Sequence, residues 1–394
     1  MSVTIVDFVF FDAGGGHRAS ATAVAELIQR WDYPWQVRLV NLQEILDPID
    51  IVRKLAGIRI QDVYNTILRK GWTLGSRRLL TVLQAAIRLW HDEEVRLVQE
   101  HWSKSPPDLA VSFVPHFNRA LREGLIGAAP GAPFVTILTD IADYPPHFWM
   151  EPQEQFYICG SERAVEQAQQ LGVPRAMIFR SSGMIIHPRF YEPVEVNRNE
   201  ERQRLGLDPK LPTGLVMFGG QGSEEMLEIA RRLDESRLSL QLIFICGRNK
   251  RLADKIRKTP SRLPRFVEGF TTEIPYYMHS ADFFIGKPGP GSISEALRMK
   301  LPVIVEQNAW TLPQERYNAA WIREKQVGFV VSSFRDIAAA VAKLLQPGNF
   351  SRLRANAASL GNRAVLEIPG ILEQILEISQ AGGRLVGAAA RSQR

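Results

Sequence analysis

The sequence predicts an α/β protein built from two Rossmann-like domains in tandem. Three observations carry this. The chain has 394 residues, 45% hydrophobic and 23% charged, too long for one compact core and ordinary in composition for two. It opens on an apolar run over 3–12, broken by Gly14, Gly15 and Gly16 and followed by helical spacing at Ala23, Leu27, Ile28 and Trp31. The same strand, glycine loop and helix return about 200 residues later, as 214–218, Gly219-Gly220-Gln221-Gly222-Ser223 and 224–233.

The remaining elements follow in order. The first half offers short apolar strands at 36–41, 109–113, 134–138 and 155–159, with helical stretches between them. The stretch 188–212, rich in Pro, Asn, Arg and Glu, reads as the linker. The second half offers strands at 240–246, 265–268, 282–286, 302–306 and 328–331, and helices at 292–298, 317–325 and 334–345. Such alternation means parallel sheets. Residues 366–379 read as a last amphipathic helix, and the small, basic residues after it as a frayed end. The expected domains are therefore 1–190 and 191–380, with a flexible tail at 381–394.

Composition excludes several classes. Two cysteines far apart, Cys159 and Cys246, are no disulfide scaffold and suit a reducing cytosol. No run reaches the roughly 18 apolar residues of a spanning helix, and the N-terminus has no basic leader. The expected location is cytoplasmic, with any membrane contact peripheral. The net charge of +6 points to an anionic partner, and the excess is local. Residues 51–90 hold eight Lys and Arg against one acid, Asp62, so the rest of the chain is close to neutral. Within that stretch Arg69, Lys70, Trp72, Arg77, Arg78 and Trp90 combine cations with tryptophans, as a helix on an anionic bilayer does. The bland alternative is a solvated charged face over a core helix. No helix-turn-helix, zinc spacing or aromatic platform supports nucleic acid as the partner.

Four segments hold residues suited to chemistry. Gly14-Gly15-Gly16-His17 places a histidine, which titrates near neutrality, at a helix start. His17 either takes a proton from a hydroxyl or caps the helix. Gly219–Ser223 offers amides and a helix dipole to a diphosphate, or is only a tight turn. Gly286-Lys287-Pro288-Gly289-Pro290-Gly291-Ser292 joins a cation to a helix start with Ser292 near its cap. Glu295 is expected in the first turn of that helix, where it either holds a ribose diol or balances the dipole. Gln314 and Glu315 open the next helix, positioned to grip sugar hydroxyls or simply to cap.

GGGHRASA, FVTILTDIADYPPHFW, GGQGS, KPGPGSISEA and PQERYN together resemble the monogalactosyldiacylglycerol synthase family. More distantly, they are similar to the N-acetylglucosamine transferase of peptidoglycan-precursor synthesis. The resemblance runs from about residue 5 to about 345. It implies the GT-B fold of inverting nucleotide-sugar glycosyltransferases, two Rossmann-like domains facing across a cleft, with a C-terminal helix that returns to the first domain. It implies that His17 is the base or at least an acceptor-site residue, that Asp140 assists the base or holds the acceptor and is the candidate base if His17 is not, and that Gly14, Gly15 and Gly16 form the acceptor loop. It places Gly219, Gly220, Gln221, Gly222 and Ser223 at the donor diphosphate and Phe270 near uracil. Lys287, Gly289, Gly291 and Ser292 fall on the phosphate side, Glu295 at the ribose, and Gln314 and Glu315 at the donor sugar. The segment 305–310 and Ser181-Ser182-Gly183-Met184 depart from the family pattern, which leaves the donor sugar open.

The implied partners are a UDP-sugar, a lipid acceptor such as diacylglycerol or a glycolipid, and an anionic membrane surface. A polyprenyl-linked or other envelope precursor is the alternative acceptor. A regulatory protein that only binds UDP-sugars is the non-enzymatic alternative. No cofactor is expected. The D-x-D carboxylate pair of metal-dependent transferases is absent from the sequence, and Lys287, loop amides and helix termini would carry the diphosphate charge instead.

Overall fold

The computed structural model describes residues 3–12, 16–49, 87–144 and 147–392, with side chains up to 381. Gly14, Gly15, Arg69, Lys70, Trp72, Arg77 and Arg78 lie outside the described residues.

Both expected sheets are present. The first consists of β1 (Thr4–Phe10), β2 (Trp35–Asn41), β3 (Leu109–Ser112), β4 (Phe134–Ile137), β5 (Phe156–Cys159) and β6 (Ile178–Arg180), ordered β2-β1-β3-β4-β5-β6. The second consists of β7 (Thr213–Met217), β8 (Gln241–Ile245), β9 (Arg265–Glu268), β10 (Phe283–Gly286), β11 (Val303–Glu306) and β12 (Gly328–Val331), ordered β12-β11-β10-β7-β8-β9. All pairings are parallel. The apolar runs explain why. Val6, Phe8 and Val9 of β1 are fully buried, with Val6 set between Val37 and Leu109 in register. Only strands covered by helices on both faces can be apolar on both faces.

Helix Gly16–Arg30 turns Ala21, Val24, Leu27 and Ile28 toward the first sheet's core. Helix Glu225–Glu235 does the same in the second with Met226, Ile229 and Leu233. Each core also holds a carboxylate, and each is paired. Asp7, with no exposed surface, accepts from Arg38 Nη2 and from the Trp102 indole, both at 2.8 Å. Asp282 faces Arg198 at 2.6 Å and Arg202 at 2.7 Å.

Two compact units result. One takes the described residues up to Pro188 together with those from Arg363 onward; the other is Arg189–Asn362. The first change falls close to residue 190, where the sequence sets its boundary. The second does not match a C-terminal domain ending at 380, because the chain from Arg363 packs with the first unit. Helix Ala364–Ser392 buries Val365, Ile368, Leu372 and Ile375 and packs on helix Gly16–Arg30, the return implied by the resemblance. Ser182 anchors its start: its Oγ accepts from the Arg363 amide and its own amide donates to Glu367, both at 2.7 Å. The helix continues to Ser392, through the stretch read as a frayed tail. β6 was not foreseen, since Ile178-Phe179-Arg180 is too short to show a period. Among the described residues, no helix is long and apolar enough to cross a membrane.

These strand orders position the sites. In the first sheet the order reverses between β1 and β3, in the second between β7 and β10. Ligands of open parallel sheets bind at the carboxyl ends of such strands.

Candidate active site

In the first unit, His17 is the second residue of the helix that follows β1. Its Nδ1 lies 3.2 Å from Thr139 Oγ1, at the end of β4. Its ring lies 5.6 Å from that of Trp149. Surrounding protein strips water from the imidazole and drives its pKa down to about 4, against a weaker upward pull from the Phe113 backbone. The ring is therefore neutral at physiological pH and has a lone pair available.

Asp140 is buried beside it and accepts the Trp149 indole N–H at 2.9 Å. Trp149 thus touches both candidate bases, one through its ring and the other through its nitrogen. Asp143 accepts the Trp149 amide at 2.6 Å, and burial raises its pKa to about 6. The Trp149 carbonyl accepts from Asn118 Nδ2 at 2.9 Å. Trp149 is thus held at its indole nitrogen, its amide and its carbonyl.

Sequence reasoning missed Trp149 and Thr139, although both lie in the quoted segment from Phe134 to Trp149. It also missed His116, just beyond β3. This histidine adopts a left-handed φ of 69°, which a non-glycine residue seldom takes. Its ring packs 4.3 Å from Phe148. Its buried Nε2 has no hydrogen-bond partner among the described residues. Burial pushes its pKa down to about 4, and the proximity of His17 adds to the effect. The available signal was a second histidine at a strand end, in the Pro115-His116 pair after β3.

In the second unit the donor candidates gather along the carboxyl ends of β7 to β11. The Gly219–Ser223 loop follows β7, with φ of 72° at Gly219 and 63° at Gly222. Ser223 Oγ accepts from the Glu225 amide at 3.3 Å, at the start of the helix. The loop rests on the end of β8, where the Arg248 amide donates to Gly220 O at 2.9 Å. Gly247, at φ 59°, permits that approach, since a Cβ there would lie 2.3 Å from Gly220 O. At Gly219 and Gly220 a Cβ would meet nothing within 4 Å, so this backbone borders open space. Gln221 lies at the exposed tip. Phe270, beyond β9, is 55% exposed, and the Arg248 guanidinium sits 4.6 Å from its ring centroid.

The loop after β10 corrects one expectation. The helix begins at Pro290, capped from Gly289, two residues before the expected start. Glu295 therefore lies in the second turn, where compensation of the dipole is weak. Its carboxylate has no hydrogen-bond or charge partner among the described residues, and burial raises its pKa to about 7. Ser292 Oγ donates to Gly289 O at 3.3 Å, and Gly291 borders open space. Lys287 Nζ pairs with Glu315 Oε1 at 3.0 Å. Glu315 is buried and Gln314 half-buried in the short turn Pro313–Glu315, which leads into helix Arg316–Lys325. Trp90 is 38% exposed at the start of helix His91–Lys104.

Residues 215–367 match the glycosyltransferase family 28 C-terminal domain. The chain is 30% identical over 358 residues to a probable monogalactosyldiacylglycerol synthase of Glycine max, covering 85% of this chain and 64% of that protein. It is 29% identical over 358 residues to monogalactosyldiacylglycerol synthase 1 of Arabidopsis thaliana, covering 86% and 64%. The chain thus spans just under two thirds of these relatives. Among solved structures, the S. aureus MnaA–UDP co-structure superposes with a TM-score of 0.60 at 11% identity, covering 95% of this chain and 97% of that one. MurG of Acinetobacter baumannii gives 0.57 at 12% identity, covering 96% and 99%. Residues 215–367 are thus similar to a glycosyltransferase family 28 C-terminal domain, the two sheets are those of the GT-B fold, and the chain is similar over most of its length to the monogalactosyldiacylglycerol synthases.

Proposed function

We propose that this protein is an inverting glycosyltransferase that moves a hexose from a UDP-sugar to the hydroxyl of a membrane lipid, diacylglycerol or a glycolipid. The observation that carries the reading is Glu295. Its half-buried carboxylate lies in the second turn of the helix that starts at Pro290, beside the strand-order reversal, where a ribose diol would donate to it. The relatives named as monogalactosyldiacylglycerol synthases support a galactose donor and diacylglycerol. The MnaA neighbour, solved with UDP, supports a uridine nucleotide as the ligand.

In the proposed reaction the acceptor oxygen attacks the anomeric carbon from the face opposite the leaving group. The new C–O bond forms as the bond to UDP breaks, and UDP departs with the electron pair. The hydroxyl proton passes to neutral His17, which Thr139 and Trp149 orient. Asp140 holds the indole of Trp149 and so positions His17 rather than replacing it. The Gly219–Ser223 amides, Gly289, Gly291 and the helix that starts at Pro290 receive the diphosphate charge. No metal is assigned a role, and activity is expected to survive EDTA. Complete loss on chelation, restored by Mg²⁺, would contradict this.

The basic segment at 51–90, with Leu89 82% exposed and Trp90 beside it, is proposed as the membrane face. Co-sedimentation is expected with anionic vesicles and not with neutral ones. A panel of labelled UDP-sugars with extracted lipids, read by thin-layer chromatography and mass spectrometry, tests the function. One hexose should enter one lipid class. UDP-sugar binding without any transfer would favour a regulatory protein instead.

A further inference from the structure

Lys287 and Glu315 belong to different segments, the loop after β10 and the turn Pro313–Glu315, yet they form one ion pair of 3.0 Å. The partners are unequally placed: the Glu315 side chain is 9% exposed and that of Lys287 42%. A buried carboxylate needs a counter-charge more than an exposed ammonium does. The pair is also held in place. Asn318 Nδ2 donates to Pro288 O at 2.8 Å, tying helix Arg316–Lys325 to the β10 loop. Gly289 packs against the pair: a Cβ there would lie in ordinary contact, 3.4 Å from Lys287 Cε, 3.4 Å from Ser292 Oγ and 3.7 Å from Glu315 Oε1.

We infer that Lys287 acts on the donor's sugar through Glu315, as a positioning residue that fixes and balances this carboxylate for hydrogen bonds from sugar hydroxyls. The inference rests on the donor-site reading above and changes the role assigned to the lysine. A lysine that served only the diphosphate would project from the loop toward the anion. Here its ammonium is turned to the carboxylate of the turn that follows β11. Removal of the ammonium leaves a buried carboxylate without its counter-charge, and such a group reorganises or neutralises. The grip on the sugar is then lost, while the loop amides that face the diphosphate are untouched.

The test compares the Kd for UDP with the Kd for UDP-galactose, and for UDP-glucose as a second hexose. Titration calorimetry is run on the parent protein, Lys287→Met, Lys287→Arg, Glu315→Gln and the Lys287→Met/Glu315→Gln double variant. In Lys287→Met, UDP affinity should stay within about threefold of the parent, while the UDP-hexose to UDP ratio shifts about tenfold against the sugar. Glu315→Gln should give the same shift, the double variant no larger one, and Lys287→Arg should keep the parent's ratio. Equal weakening of UDP and UDP-hexose in Lys287→Met would overturn the inference, as would losses that multiply in the double variant. Failure of the parent to bind UDP at all would instead overturn the donor-site reading, and the inference with it.

Discussion

In the proposed reaction, His17 and Glu295 are the residues whose protonation matters most. Burial acts on them in opposite directions, holding the imidazole neutral down to about pH 4 and keeping the carboxyl protonated up to about pH 7. The signs give a distinct profile. The kcat/KM for the donor should fall below about pH 7 as Glu295 takes up its proton, and again near pH 4 as His17 does. In Glu295→Gln the upper limb should vanish and the lower one remain; an upper limb that persists would assign it to another group. Donor binding should also release a proton at pH 7, because ribose hydroxyls donate to the ionised carboxylate and lower its pKa. Calorimetric heats that differ between phosphate and Tris buffers would reveal that release, and identical heats would argue against it. His17→Ala should cost about 10² to 10⁴ in kcat with UDP affinity unchanged.

Elements decide which of these residues were legible beforehand. Among the described residues, eleven of the twelve strands could be seen in the sequence because buried parallel strands are continuous apolar runs ending in turn residues. The three-residue β6 carries no such signal. The Gly219–Ser223 loop was legible as a strand-to-helix turn, and the structure adds the contact that shapes it, between Gly247 and Gly220. No spacing rule links those residues, since the contact depends on β7 and β8 being neighbours. The same limit hid the Lys287–Glu315 pair and the setting of His17 against Trp149. The start of a helix was also misjudged, at Pro290, because proline breaks patterns yet suits a first turn. Gly247→Ala should cost about 1–3 kcal/mol in stability, because it combines a left-handed φ with a clash against Gly220 O. It should also weaken UDP binding. Chemical denaturation and titration check both effects, and a variant as stable as the parent would show that the loop yields without cost.

At the scale of the whole molecule, the chain makes its first unit from both ends. The last helix lies under helix Gly16–Arg30, which presents His17, so a remote segment supports the proposed base. Leu372→Ala, at a fully buried position of that last helix, should cost about 2–5 kcal/mol and lower the melting of the first unit. UDP binding by the second unit should survive. Sequence periodicity foretold the helix but not the unit it joins, because chain order carries no record of which core receives an apolar face. Charge is divided as unevenly as structure. The excess sits in residues 51–90, and the rest of the chain is close to neutral. The proposed reaction moves a hexose from UDP to a lipid with His17 as base. The most direct measurement is the rate of UDP release from a UDP-hexose, with and without diacylglycerol vesicles, for the parent and for His17→Ala. Release that requires the lipid and collapses in His17→Ala is the predicted result. Binding of UDP without lipid-dependent release, or full turnover by His17→Ala, would contradict it.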